Sequence, residues 1–189
     1  MKSFRNSILI PLFFTLSGGA IVVNTAIAQE QTQEQSRTYF IKAPRLLTAA
    51  TTFSGVRVRG AKYYFNIVIP EDAGNDLQQV AIRQRKGQED IEFRLEKTVA
   101  YRGTNRDKGA EIAIANITQN EQSQEIIVTF ENPIAPGTAF TVGLKPRRNP
   151  DYAGVYVFGV TAIPQGNNPT PLYLGAKDLR FYHGGDFRH

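Results

Sequence analysis

PGTAFTVGLKPRRNPDYAGVYVFGVTAIP, residues Pro136–Pro164, holds a turn, a strand, a polar loop and a second strand in one run. Ala135-Pro136-Gly137-Thr138 fits a type II turn, because proline presets φ at the second position and glycine tolerates positive φ at the third. Phe140, Val142 and Leu144 then alternate with Thr141, Gly143 and Lys145, the period of two of a strand with one buried face. Pro146, Asn149-Pro150 and Gly154 punctuate a loop. Beyond it Val155, Val157 and Thr161 share one face, and Tyr156, Phe158, Val160 and Ala162 the other. A strand apolar on both sides belongs in the middle of a sheet, covered twice or set against a partner. The expectation is a core strand over 155–163, ended by Pro164, which cannot donate to a ladder.

Outward from this pair the pattern repeats. Phe65, Ile67 and Ile69 point one way in YYFNIVIP, followed by Val80 and Ile82, then by Ile91, Phe93 and Leu95 after the Arg85-Lys86-Gly87 turn. Ile112 with Ile114, and Ile126, Val128 and Phe130 after the polar turn QNEQSQ, continue the series. Leu179 and Phe181 suit a last short strand, and Leu46 to Phe53 a first one of ambiguous period. About eight strands at regular spacing predict an all-β, single-domain antiparallel β-sandwich of immunoglobulin-like type. The best helical candidate, Asn75 to Gln79, is a single turn. No repeat of solenoid or propeller length is present.

The chain begins differently. Lys2 and Arg5 precede an apolar run from Ile8 to Val23, and Ala26-Ile27-Ala28 is an A-x-A cleavage signal, so residues 1–28 read as a signal peptide. Pro11 and Ser17-Gly18-Gly19 interrupt the run, and it is short for a membrane span of about 20 residues. Residues 29–37, polar and low in complexity, read as a disordered spacer, which leaves 38–189 as the sandwich domain. The expected product carries no membrane span after cleavage. With no cysteine in the chain, neither lipid attachment nor disulfides are available, and packing alone must hold the fold. The formal charge of +5 falls further once Lys2 and Arg5 are removed, and does not argue for nucleic acid.

Chemistry is thinly represented. Beyond the leader the serines are Ser36, Ser54 and Ser123, none in G-x-S-x-G, and the two histidines are His183 and His189. That leaves nothing to activate a hydroxyl nucleophile. Gly55 and Gly60 have P-loop spacing, but Ala61 displaces the lysine to position 62, Tyr63 replaces the hydroxyl that should follow it, and a strand comes next in place of a helix. Asp178, His183, Asp186 and His189 crowd the C-terminal tail and could wrap copper or zinc. Glu71, Asp72, Asn75 and Asp76 form an oxygen-rich loop that could hold calcium, although their spacing matches no EF-hand. Glu92 and Glu96 read as solvent-facing, and no sign of a paired-carboxylate glycosidase accompanies them.

Basic and aromatic residues are the most suggestive surface feature. Arg57, Arg59, Arg102, Arg106, Lys108, Arg147 and Arg148 fall in or near expected loops, with Tyr101 and Tyr152 beside two of them. Arginine with tyrosine is the composition of binding surfaces.

Pro136-Gly137-Thr138, Leu144 to Pro150 and Gly154 to Ala162, with Tyr63-Tyr64-Phe65, Ile69-Pro70-Glu71 and Tyr173-Leu174-Gly175, resemble a family of secreted cyanobacterial proteins of unknown function. The resemblance covers most of residues 48–182. It implies export and supplies no catalytic residues. Where that family has small residues after Asn149-Pro150, this chain has Asp151-Tyr152-Ala153.

The reading that results is an exported, non-catalytic binding or structural module of the cell envelope, periplasmic or at the cell surface. Arg147, Arg148, Tyr152 and Tyr156 are its expected contact surface for an envelope polysaccharide, a lipid headgroup or a protein. The alternatives are a periplasmic copper- or zinc-binding protein using the C-terminal histidines and, third, a carbohydrate-active enzyme.

Overall fold

Tyr63-Tyr64-Phe65-Asn66-Ile67 is buried at every position, which places this segment in the interior of a sheet with both faces covered. The computed structural model describes residues 37–120 and 122–184; residues 1–36, Glu121 and residues 185–189 lie outside it. The expected signal peptide, all but the last residue of the spacer, and the tail residues Asp186 and His189 are therefore not among the described residues.

Strands β1 (Arg45–Thr51), β2 (Tyr63–Val68), β3 (Leu77–Lys86), β4 (Val99–Gly103), β5 (Lys108–Glu111), β6 (Ile114–Gln119), β7 (Glu125–Ile134), β8 (Ala139–Leu144), β9 (Gly154–Pro164) and β10 (Leu172–Phe181) form two sheets. One has the order β1-β2-β8-β4-β5, the other β10-β9-β3-β7-β6. Every pairing is antiparallel. This is the expected immunoglobulin-like all-β sandwich, with ten strands where about eight were read. Strands β4 and β5, which the alternation did not reveal, complete the first sheet.

The core lies between the sheets. Phe65, Ile67, Val142 and Leu144 meet Ile82, Val128, Phe158 and Val160. Phe158 sits at its aromatic centre, its ring within 6.3 Å of the centroids of Tyr63, Phe65 and Phe93, all in edge-on contact. Edge-on rings place positive edges against negative faces, a small gain beyond the area they bury. On the outer side of the first sheet Tyr64 and Tyr101 are also buried, with the Lys108 ammonium 5.9 and 5.3 Å from their ring centroids.

The central stretch is largely as expected, its two strands falling in different sheets, β8 in the first and β9 in the second. Gly137 has φ +78°, and its amide donates to the Ile69 carbonyl at 3.0 Å, which anchors the 135–138 turn to the end of β2. Strand β9 is flanked by β10 and β3 and stops at Pro164. Its second face departs from expectation: Val155 is exposed and Val157, Thr161 and Ile163 are half-exposed, so β9 is covered on one side only. Gly159 is the exception on that face. Tyr173 lies so close over it that a Cβ would meet the ring at 3.0 Å, with the Arg85 guanidinium 5.8 Å from the ring centroid.

Two local expectations are corrected. Asn75 to Gln79 is not a helical turn, because Leu77 is fully buried and pairs with both Ile134 and Pro164, which draws the segment into β3. Residues 91–95 do not form a strand either. A single antiparallel bridge, Phe93 to Pro146, is followed by a one-turn 3-10 helix, Leu95–Lys97.

The described chain starts and finishes at opposite ends of the sandwich. Thr38 bonds to Asn168 and Thr170 in the β9–β10 connection, whereas Tyr182 bridges to Gly55 beside the start of β9.

Candidate functional site

Three connections meet at the end of the sandwich where β9 begins: residues 52–62, 87–98 and 145–153. Asn149 ties them together. Its side chain is fully buried; Nδ2 donates to the carbonyls of Phe53 (2.8 Å) and Gly55 (2.7 Å), and Oδ1 accepts from the Tyr63 hydroxyl (3.0 Å). Its own amide donates to the Val58 carbonyl at 2.8 Å. A buried amide with both donors and its oxygen engaged fixes loop geometry, because every alternative arrangement orphans a polar group. Burial, then the nearby Tyr156 and Glu89, push the Tyr63 phenol well above its ordinary range and keep it a donor.

A second clamp comes from Glu89. Its Oε1 accepts from the amides of Asp151 (2.5 Å) and Tyr152 (3.1 Å), while Gln84 bonds the Glu89 carbonyl and the Ile91 amide to hold that loop on β3. Asp151 in turn receives Arg57 at 3.3 Å and Arg148 at 2.7 Å. Arg57 has φ +61°, a left-handed conformation that a non-glycine residue keeps only when its neighbours enforce it; its amide donates to the Pro150 carbonyl at 3.0 Å.

Between the 87–98 and 145–153 segments a short ladder forms. The Arg94 amide donates to the Lys145 carbonyl and the Arg147 amide to the Glu92 carbonyl, both at 2.8 Å, on either side of the Phe93–Pro146 bridge. Alternation sends Phe93 into the core and leaves Glu92, Arg94, Lys145 and Arg147 on the other side. Glu92 pairs with Arg147 at 3.2 Å. Arg94, by the same register, stands opposite Lys145, and neither has a carboxylate partner among the described ion pairs.

These segments enclose a cleft of about 480 Å³, bordered by the bases Arg59, Arg94, Arg147 and Arg148 and by the acids Glu89, Asp90 and Glu92. A smaller cleft of about 310 Å³ adjoins it, lined by Lys62, Arg94, Lys97 and Lys145 with Glu96. Arg94 belongs to both.

The expected contact residues divide. Arg147 and Arg148 border the main cleft and Tyr152, 56% exposed, stands on the adjoining loop. Tyr156 is corrected: it has no exposed surface, its ring packs edge-on against Phe181 and its hydroxyl donates to the Tyr152 carbonyl at 3.0 Å. It shares parity with Phe158 and Val160 and goes inward with them. The basic residues divide as well, with Arg57, Arg59, Arg147 and Arg148 at the cleft end and Arg102, Arg106 and Lys108 around the β4–β5 hairpin at the other. Lys62, Arg94, Lys97 and Lys145 were missed, because each looks like an ordinary polar position until the bridge at Phe93 brings them together.

The metal candidates are placed as follows. Asp72 receives Lys42 at 2.9 Å, which holds its carboxyl below the usual range, and Asn75 donates from Nδ2 to the Tyr39 carbonyl at 2.6 Å. Asp178 receives Arg180 at 2.9 Å and is likewise held below its usual range, while His183 is exposed. Among the described residues no three His, Cys, Asp or Glu side chains converge. No helix among them is long and apolar enough to cross a membrane.

Fold and site together define an immunoglobulin-like antiparallel β-sandwich whose end loops are locked around an open, charged cleft. The chain belongs to the family described as "Protein of unknown function (DUF2808)", whose model matches residues 37–181. No curated protein matches the chain. Among solved structures it is similar to BslA, a bacterial hydrophobin, at 12% identity and a TM-score of 0.46, over 76% of this chain and 97% of that one. It is also similar to ACE19, the collagen-binding subdomain of the Enterococcus faecalis surface protein ACE, at 12% identity and a TM-score of 0.42, over 78% and 99%. The collagen-binding domain of a Staphylococcus aureus adhesin follows at 11% identity and a TM-score of 0.35, over 78% and 99%. These likenesses are distant, and the sandwich assignment stands on the chain's own strands.

Proposed function

We propose that the protein is a non-catalytic binding module of the cell envelope, exported after loss of residues 1–28, and that the loop-built cleft at the β9 end is its contact surface. The observation that carries this reading is the rigid mounting of the cleft. Asn149 and Glu89 lock three separate connections into one frame, and the arginines they support project into an open groove. Binding residues on loops held by a stiff scaffold lose little entropy when a ligand arrives.

Glycoside cleavage needs two available carboxyl groups. Glu89 is committed to two backbone amides and Glu92 to Arg147, which leaves Asp90 as the one cleft carboxylate without a described partner. That favours binding over catalysis at this cleft.

The test is envelope association of the mature protein against a variant carrying Arg147→Ala, Arg148→Ala and Tyr152→Ala, measured by pulldown from native envelope. Retention of the wild type with loss in the triple variant supports the surface. Equal retention of both would remove it.

A further inference from the structure

The two adjoining clefts share an arginine and carry five cations with no described carboxylate partner: Arg59, Lys62, Arg94, Lys97 and Lys145. Arg94 and Lys145 stand directly opposite across the Phe93–Pro146 bridge, and like charges in that relation repel. Elsewhere at the same end the chain neutralises its arginines: Arg57 and Arg148 share Asp151, and Arg147 takes Glu92. Five of the cations left over at this end form a strip along the two adjoining clefts, which meet at Arg94.

We propose that this strip binds a linear polyanion, specifically an acidic polysaccharide whose carboxylates lie along it from Arg59 past Arg94 to Lys97. This rests on the reading of the β9 end as a contact surface and names the ligand chemistry for it. Three features favour a chain over a flat anionic membrane. The cations line concave clefts of about 480 and 310 Å³, into which a strand of sugar units fits and a bilayer does not. Asp90, Glu92 and Glu96 border the strip, so a continuous negative plane would meet repulsion that a single chain avoids by passing between them. Guanidinium groups also take a carboxylate by two parallel hydrogen bonds, so Arg59 and Arg94 would fix the register of a polymer that lysines hold only by charge.

The test measures binding of the mature protein to polygalacturonate at low salt, with neutral dextran and phosphatidylglycerol vesicles as the other arms. Wild type is expected to bind polygalacturonate, to lose it as salt rises, and to leave dextran alone. Arg94→Ala with Lys145→Ala should weaken binding at least about tenfold, since two charge-assisted contacts are lost. Arg83→Ala with Arg85→Ala, which removes equal charge from the outer face of the other sheet, should change it less than about threefold if binding is local rather than a response to net charge. Near-ultraviolet circular dichroism of each variant checks the fold. The proposal fails if wild type ignores polygalacturonate, if the distal pair weakens it as much as the strip pair, or if vesicles are bound more tightly through Arg94 and Lys145. Should the polymer arm fail while the native-envelope pulldown still depends on Arg147, Arg148 and Tyr152, the polyanion is wrong and the contact surface survives.

Discussion

The Tyr63 hydroxyl donates a 3.0 Å hydrogen bond to Asn149 Oδ1, and both side chains are sealed from water. The contact spans 86 positions of sequence and joins the core strand β2 to the loop that supports the cleft. Removal of either partner leaves polar atoms stranded. Asn149→Ala orphans the Gly55 carbonyl and the Tyr63 hydroxyl, while the Phe53 carbonyl keeps the Thr51 hydroxyl, and should cost about 2–4 kcal/mol of stability. Tyr63→Phe orphans a single acceptor and should cost about 1–2 kcal/mol. Urea unfolding of both variants checks the order, and a smaller loss for Asn149→Ala than for Tyr63→Phe would contradict it.

Glu89 predicts a local rather than a global effect. Glu89→Ala removes the acceptor for the Asp151 and Tyr152 amides, and those two amides should lose hydrogen-exchange protection while the β3 and β9 ladders keep theirs. Glu89→Gln retains an oxygen at the same place and should restore most of the protection. Uniform loss across the sheets would show that the clamp holds more than its loop.

Phe158 should be among the costly aromatic truncations. Its ring touches those of Tyr63, Phe65 and Phe93, so Phe158→Ala opens a cavity bordered by rings that cannot collapse into it. The expected loss is about 3–5 kcal/mol, against about 1 kcal/mol for Phe158→Leu. Calorimetric or denaturant midpoints of the pair decide it.

Alkali should unfold the protein through its tyrosines. Burial raises Tyr63, Tyr64, Tyr101 and Tyr156 above the ordinary value of 10.0. The unfolded chain then gives up these protons first, so their contribution is complete below about pH 10 and drains away as pH climbs toward the folded-state values. Urea midpoints followed across that range, with tyrosinate absorbance as the monitor, should fall for wild type. The fall should be shallower for Tyr63→Phe, which lacks the most strongly raised group.

Much of the sandwich was legible because its strands obey a period of two where they meet the core. Phe140, Val142 and Leu144 and the shared face of Tyr156, Phe158, Val160 and Ala162 were readable one by one. With both faces of that second strand apolar, however, the pattern did not say which turned inward, and Tyr156, expected at the contact surface, is buried. Strand β4 was hidden because it is short and Arg102 breaks its apolar run. Residues 91–95 alternate as a strand does, yet the neighbour beside them is a proline-interrupted loop that supplies one bridge. The site was less readable still. Asn149 sits between an arginine and a proline, where an amide signals a turn, and its partners lie up to 96 positions away. No local pattern encodes that closure.

The chain's opposed exits settle how the molecule can be handled and presented. Thr38 is stitched to the Pro164 end of β9, an eleven-residue strand roughly 35 Å long, and the groove opens beyond the Gly154 end. A bead, surface or fusion partner joined ahead of Thr38 therefore leaves the mouth unobstructed, whereas one joined behind Tyr182 sits at its lip. Capture assays should be tethered from the front of the chain.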